Sequence, residues 1–405
     1  MRERVDLSNR ASAAVVRRGD GVVLKAAALS LAATALGLSR FGYAVLLPAM
    51  RAELNWSYTQ AGLMNAANAL GYLAGAACAI PTTAGFGLRR TFAISFALTA
   101  LSLLACGFTT SYPVLVLLRL IGGVAGAILF IAGATLASRL AGSSTSSGFV
   151  VGVFFAGVGP GILLSAALMP MALESHGGWR IGWEVMGVVA AVSCVAGVWL
   201  TRTPRDASDS VGPVPAGLGG IGVSIAAFTL FGFGYISYMT FIVAYYRQAG
   251  RTVADIAIFW ATLGVAATAS GWAWRRLLDR SSSTGALAIL LGVVTLGAAL
   301  PLASQRQPVL LASAVLFGIA FLSVSAALTQ LLRRTLAPSQ WTRGLSVSMT
   351  LFGLGQVLAP VVTGQLADIS GSLEVGLAIS TGILAIATVI ATFQRRAWKP
   401  LGSPR

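Results

Sequence analysis

Apolar runs of bilayer-spanning length follow one another along this chain, separated by short polar or charged breaks. They centre on 25–49, 59–84, 91–110, 112–138, 145–172, 182–201, 217–246, 254–276, 284–304, 308–332, 343–367 and 374–394. About 20 apolar residues suffice to cross the hydrocarbon as a helix. The pattern therefore predicts an all-α membrane protein with twelve transmembrane helices in two six-helix halves.

Charge adds an orientation. Twenty-one of the 28 bases fall in the even-numbered gaps and the two tails, including Arg89, Arg90, Arg139, Arg275, Arg276, Arg333 and Arg334. The odd-numbered gaps hold only Arg51, Arg180, Arg247, Arg251 and Arg306. By the positive-inside rule both termini are expected in the cytoplasm, and the chain in a cell (inner) membrane. Arg40 and Arg119 remain, both inside spans.

Composition excludes several function classes. With 56% hydrophobic and 10% charged residues, a water-soluble fold would have a surface almost without charge. Topology and anionic inner-leaflet lipid account for the net charge of +16, so lipid is an expected partner and nucleic acid is not. Cys78, Cys106 and Cys194 lie within spans as small packing residues, with no disulfide or metal spacing. No short apolar stretch with a cleavage site precedes the first span, so no cleaved secretory signal is expected. His176, the single histidine, lies in a loop, and no phosphate-cradling Gly-Lys-Ser/Thr loop occurs. Neither an enzyme nor a cofactor is expected, and the assembly is read as a monomer.

Polar residues divide the chain into a tail at 1–24, a first half at 25–201, a linker at 202–216, a second half at 217–394 and a tail at 395–405. The linker carries Pro204, Arg205, Asp206, Asp209, Pro213 and Pro215. Features recur between the halves: Arg89 and Arg90 answer Arg275 and Arg276, and the Gly/Pro break around Pro160 answers Gly353, Gly355 and Pro360. Six spans, a linker and six related spans form a parallel repeat, an arrangement that places a transport site between the halves near mid-membrane.

On these residues the chain resembles the major facilitator superfamily over essentially its whole length. Leu115, Arg119, Gly122, Gly123 and Ala125 are similar to that family's fourth-helix pattern, and Gly152, Gly157, Gly159, Pro160 and Gly161 to its Gly-Pro motif. Its loop motif survives in part as Gly87, Arg89 and Arg90 without the acid, whereas the counterpart keeps Asp279 and Arg280. Near the start, Arg40, Phe41, Tyr43, Leu47 and Pro48, with Trp56, Gln60, Asn65, Asn68 and Tyr72, look like the YbfB/YjiJ-type bacterial permeases. The resemblance implies a gating or proton-relay role for Arg119, although a purely structural hydrogen-bonding role is as ordinary. It also associates the Gly-Pro motif with antiport. Asp279, Arg280 and Pro360 join the gating candidates.

A guanidinium at mid-span costs about 2.5–3.5 kcal/mol on insertion scales, so Arg40 must face a partner or water. Helical spacing puts Gly37, Tyr43, Ala44 and Leu47 on its face, with the Tyr43 phenol beside the cation. One reading makes Arg40 an anion-binding fork; the other bonds it to helix carbonyls as a conformational lock. Asn65, Asn68 and Tyr72 share one stripe by i, i+3, i+7 spacing, and Tyr235 and Tyr238 trace another on the repeat partner of the first span. Cavity lining and interhelical bonding both stay open for these residues and for Gln356.

All twelve acids fall in tails, loops or span ends. Arginine without deep acid favours an anionic cargo. The leading expectation is therefore a secondary active transporter of a small organic anion, a carboxylate, working by alternating access. The runner-up is efflux of amphipathic drug-like compounds by antiport. A different class is a non-transporting membrane sensor or assembly factor on the same fold.

Overall fold

The computed structural model describes residues 2–141, 153–154, 156–200, 221–280, 283–336 and 340–394, with side chains from Ala27 onward at the first helix. Among these described residues thirteen helices follow in order: α1 (Arg2–Leu54), α2 (Tyr58–Phe86), α3 (Leu88–Gly107), α4 (Tyr112–Ala141), α5 (Val158–Glu174), α6 (Trp179–Leu200) and α7 (Gly222–Gln248). The remainder are α8 (Val253–Ala273), α9 (Arg275–Arg280), α10 (Ser283–Ala303), α11 (Gln307–Thr335), α12 (Trp341–Ser370) and α13 (Leu373–Thr392). Among the described residues eleven segments are long and apolar enough to cross a membrane, and α5 adds a shorter apolar helix of 17 residues. The expected all-α bundle is therefore present. The expected tail at 1–24 continues helically into the first span, which itself begins at Ala27. Gly152, the linker at 202–216 and the tail at 395–405 lie outside the described residues, as do the side chains of Asp279 and Arg280 on α9.

Helix pairing repeats between the halves. In the first, α1 packs on α5 and α6, α2 on α4, and α3 on α4 and α6. In the second, α7 packs on α12 and α13, α8 on α11, and α10 on α11 and α13. Shifting the first set by six spans reproduces the second, so the sequence recurrence around the two basic gaps is a recurrence of packing. Between the halves, α2 meets α12, α5 meets α8 and α1 meets α7.

Small residues make these approaches close, because hydrocarbon offers no hydrophobic drive and packing must come from backbones in contact. A Cβ on Gly71 would lie 2.1 Å from the Leu120 carbonyl oxygen, and one on Gly123 would lie 2.1 Å from that of Asn68. Gly75 meets the Val124 backbone in the same way. Gly123→Val is expected to lower stability by about 3 kcal/mol, because the obstructing atoms are main chain and cannot rotate aside. Thermal unfolding of the purified protein measures this.

Candidate functional site

Arg40 lies near the middle of the first span, Ala27–Leu54, and is only partly buried. Its guanidinium carbon sits 4.9 Å from the centre of the Tyr72 ring. Among the described residues it makes no hydrogen bond and no ion pair. Tyr72 and Tyr235 both lie within its electrostatic reach. Each of these residues is near the midpoint of its own span, as is Gln356 in α12, so α1, α2, α7 and α12 bring one group each to the same depth.

Around this cation stands an aromatic wall from the second half. Tyr235 stacks on Phe231 at 4.8 Å and on Phe352 at 5.5 Å, and Phe321 faces Phe41 edge-on at 6.0 Å. The Tyr235 hydroxyl donates to Gln356 Oε1 at 2.8 Å. That bond fixes the amide, whose nitrogen has no hydrogen-bond partner among the described residues. The site thus offers one cation, one amide donor and ring faces.

Arg119 is placed differently. It is 2% exposed, and one terminal nitrogen donates to the Ser39 carbonyl at 3.0 Å. The Tyr43 and Trp183 rings lie 5.5 and 5.3 Å from its guanidinium carbon. Nε and the other terminal nitrogen are buried without a partner. A buried donor left unmade costs about 1–3 kcal/mol, and the flanking rings return about 0.5–2 kcal/mol through cation–π attraction. Arg119 therefore stands behind Arg40, holding the carbonyl of the preceding residue and adding positive potential, with no ion pair to an acid among the described residues.

Several sequence expectations need correcting. The phenol beside Arg40 belongs to Tyr72, not Tyr43: the Tyr43 hydroxyl donates to the Ala61 carbonyl at 2.8 Å, and its ring stacks on Trp183. Helical spacing identifies a broad face, but α6 and α4 claim the part of that face on which Tyr43 lies. Nor do Asn65, Asn68 and Tyr72 present a single polar face. Asn65 donates to Thr240 on α7 at 2.6 Å, Asn68 to the Arg119 carbonyl on α4 at 3.1 Å, and Tyr72 lies against α1. One stripe can meet three helices because α2 is wedged among them. Tyr238 faces into its own half, bonded to Ser313 at 2.6 Å and stacked on Phe317.

The glycines of the Gly-Pro break serve close approach. Gly157 and Gly161 meet the Ser30 and Thr34 carbonyls of α1, while Gly159 meets Thr268 of α8 in the other half. Pro160 sits in the first turn of α5, where it costs no hydrogen bond within that helix. Pro360 lies inside α12, and its carbonyl abuts Gly62.

The halves meet mainly from mid-depth to the face that carries the α1–α2 and α7–α8 turns. There Gly62 meets Pro360, Gly364 meets Tyr58, Ser165 accepts from Trp260 Nε1 at 2.9 Å, and Gly264 meets Leu163. At the rim the Asp368 carboxylate accepts from the Tyr58 and Thr59 amides at 2.7 and 2.9 Å, and from the Thr59 hydroxyl at 2.6 Å. An acid from α12 thus caps the N-terminus of α2 across the boundary, satisfying orphan amides at the positive end of that helix. Sequence reasoning saw Asp368 only as a span-end acid. Asp368→Asn is expected to loosen this face by about 1–2 kcal/mol, read as roughly tenfold faster labelling of a cysteine introduced at the buried Ala61, on the α2 stripe of Tyr58 and Asn65 that meets the second half.

Residues 32–392 match the family model described as an uncharacterised MFS-type transporter, YbfB. The chain belongs to this family of major facilitator transporters. Solved structures agree on the fold. The nucleoside transporter NupG superposes with a TM-score of 0.74 at 14% identity, covering 92% of this chain and 98% of that one. A bacterial homolog of the human lysosomal transporter Spinster, inward-facing and unoccupied, gives 0.71 at 17% identity, covering 95% and 99%. The protein is thus a multi-pass membrane transporter of the major facilitator type, and its mid-depth residues lie where the two halves of such a transporter meet.

Proposed function

We propose that this transporter carries a small organic anion, a carboxylate, gripped by Arg40 between its halves. The observation behind this is the partly buried, mid-depth guanidinium with no hydrogen bond or ion pair among the described residues. Leaving such a charge uncompensated is costly in a medium of low dielectric, and a planar carboxylate matches its fork in two parallel bonds. The neighbouring positive charge of Arg119 repels a cationic cargo and adds attraction for an anion. Asn65, Asn68 and Tyr43 support the site from behind in this reading, whereas Tyr72, Tyr235 and Gln356 touch the cargo.

With both termini in the cytoplasm, the tightly closed face is extracytoplasmic and the cargo reaches Arg40 from inside. No carboxylate lies deep in a span to relay protons, so anion exchange, or symport of a proton on the substrate, fits the residues present. The aromatic wall of Phe231, Tyr235, Phe321 and Phe352 favours a second reading, efflux of amphipathic compounds on a tolerant apolar surface. Competition separates the two. Thermal stabilisation of purified protein by a panel of carboxylates is expected, with lipophilic cations unable to displace them. Stabilisation by the cations alone would reverse the assignment.

A further inference from the structure

The few bases that depart from the cytoplasmic bias are not scattered. Arg180 pairs with Glu53 at 2.6 Å, and the Arg251 guanidinium is bonded to the Gln305 carbonyl. Arg51 of the first half and Arg247 of the second instead line one cavity of about 460 Å³ at the closed face, whose lining also includes Tyr58 and Gln248. Arg51 lies over the Tyr58 ring, 3.7 Å from its centre, and its Nε is buried with no hydrogen-bond partner. Arg247 spends one terminal nitrogen on the Arg251 carbonyl at 3.0 Å. The acids nearby are already engaged: Glu53 with Arg180 and Trp179, and Asp368 with the α2 N-terminus. The rest of the lining is mainly apolar, with Val45 and Val243 deeper in their spans than the two arginines and Leu173 and Ile256 nearer the rim.

We infer that this cavity is a second ligand site, distinct from the mid-depth one, for a small amphipathic anion: a carboxylate or phosphate head on a short apolar tail. The head would satisfy the unmade Arg51 donor and meet Arg247, while the tail would cover the apolar floor. Because the two arginines come from opposite halves, the occupant ties α1 to α7 and holds this face closed. The inference stands independently of Arg40. The Tyr58 hydroxyl accepts from Gln248 Nε2 at 2.6 Å across the same boundary, so occupancy reinforces an existing bridge.

Octanoate is the probe and 1-octanol its uncharged control, each titrated against purified protein with thermal unfolding as the readout. Arg40→Gln protein removes the mid-depth site from the measurement. Octanoate is expected to stabilise that variant still, octanol to leave it unchanged, and addition of Arg51→Gln with Arg247→Gln to weaken the apparent affinity about tenfold or more. Arg247 is exposed, so Arg40→Gln with Arg247→Gln alone carries the test if the triple variant fails to fold. Loss of the octanoate shift on adding phosphatidylglycerol to the micelles assigns the natural occupant to lipid, and its persistence assigns a soluble anion. No octanoate shift in Arg40→Gln protein, an unchanged affinity without Arg51 and Arg247, or an equal effect of octanol would overturn the second site and leave the reading of Arg40 untouched.

Discussion

Gly62→Leu is expected to abolish transport while leaving both halves folded. A Cβ at this position would lie 2.2 Å from the Pro360 carbonyl oxygen and 2.7 Å from its carbon, both main-chain atoms of the opposite half. No rotamer change relieves such a clash; the halves must part. Because the obstruction lies between the halves, each can still assemble its own helix pairs. Overpacking of about 3 kcal/mol against the closed arrangement corresponds to roughly a hundredfold loss of its population. In reconstituted vesicles the variant should show normal insertion, transport near background, and a cysteine at the otherwise buried Ala61 that reacts freely from the α1–α2 face. Gly364→Leu, which meets the Tyr58 backbone one turn further out, should behave alike. Normal transport by both variants would mean that this contact does not have to form in the cycle.

Arg40→Gln is expected to cost about 1.5–3 kcal/mol of cargo binding, the range for a charge-assisted bond, or roughly tenfold to more than a hundredfold in Kd. Glutamine keeps an amide donor and comparable length, so the loss reads charge and bidentate geometry rather than a hole. Arg40→Lys should fall between, since an ammonium keeps the charge without the planar fork. Stability should fall by no more than about 0.5–1 kcal/mol with Arg40→Gln, because among the described residues Arg40 has no hydrogen bond or ion pair to lose, only the Tyr72 ring contact. That separates it from Arg119, where Arg119→Gln would also forfeit the bond to the Ser39 carbonyl and the two ring contacts. A variant series in which Arg40→Gln unfolds the protein without altering its affinity would return Arg40 to a structural role.

Much of this fold is legible in the run lengths and charge gaps, because bilayer thickness and the need to satisfy the backbone leave few alternatives. The repeat is legible too, through the basic residues after the second and eighth runs. Side-chain destinations are not. Arg40 and Tyr43 share a helical face, but which neighbour fills each part of that face depends on long-range packing, and α2 supplies the phenol through Tyr72. Asn65 and Asn68 share one stripe yet bond to α7 and α4. The i, i+4 pair Phe231 and Tyr235 could have been read as one stacked unit. Nothing local marks Asp368 as the cap of a helix 309 residues away in sequence.

The most direct test is counterflow in vesicles containing only this protein, preloaded with an unlabelled carboxylate and challenged with its labelled form. Transient accumulation of label in wild type, absent with Arg40→Gln and not inhibited by lipophilic cations, is the predicted result. Equal accumulation by wild type and Arg40→Gln, or exchange of lipophilic cations in place of carboxylates, would contradict an anion held at Arg40.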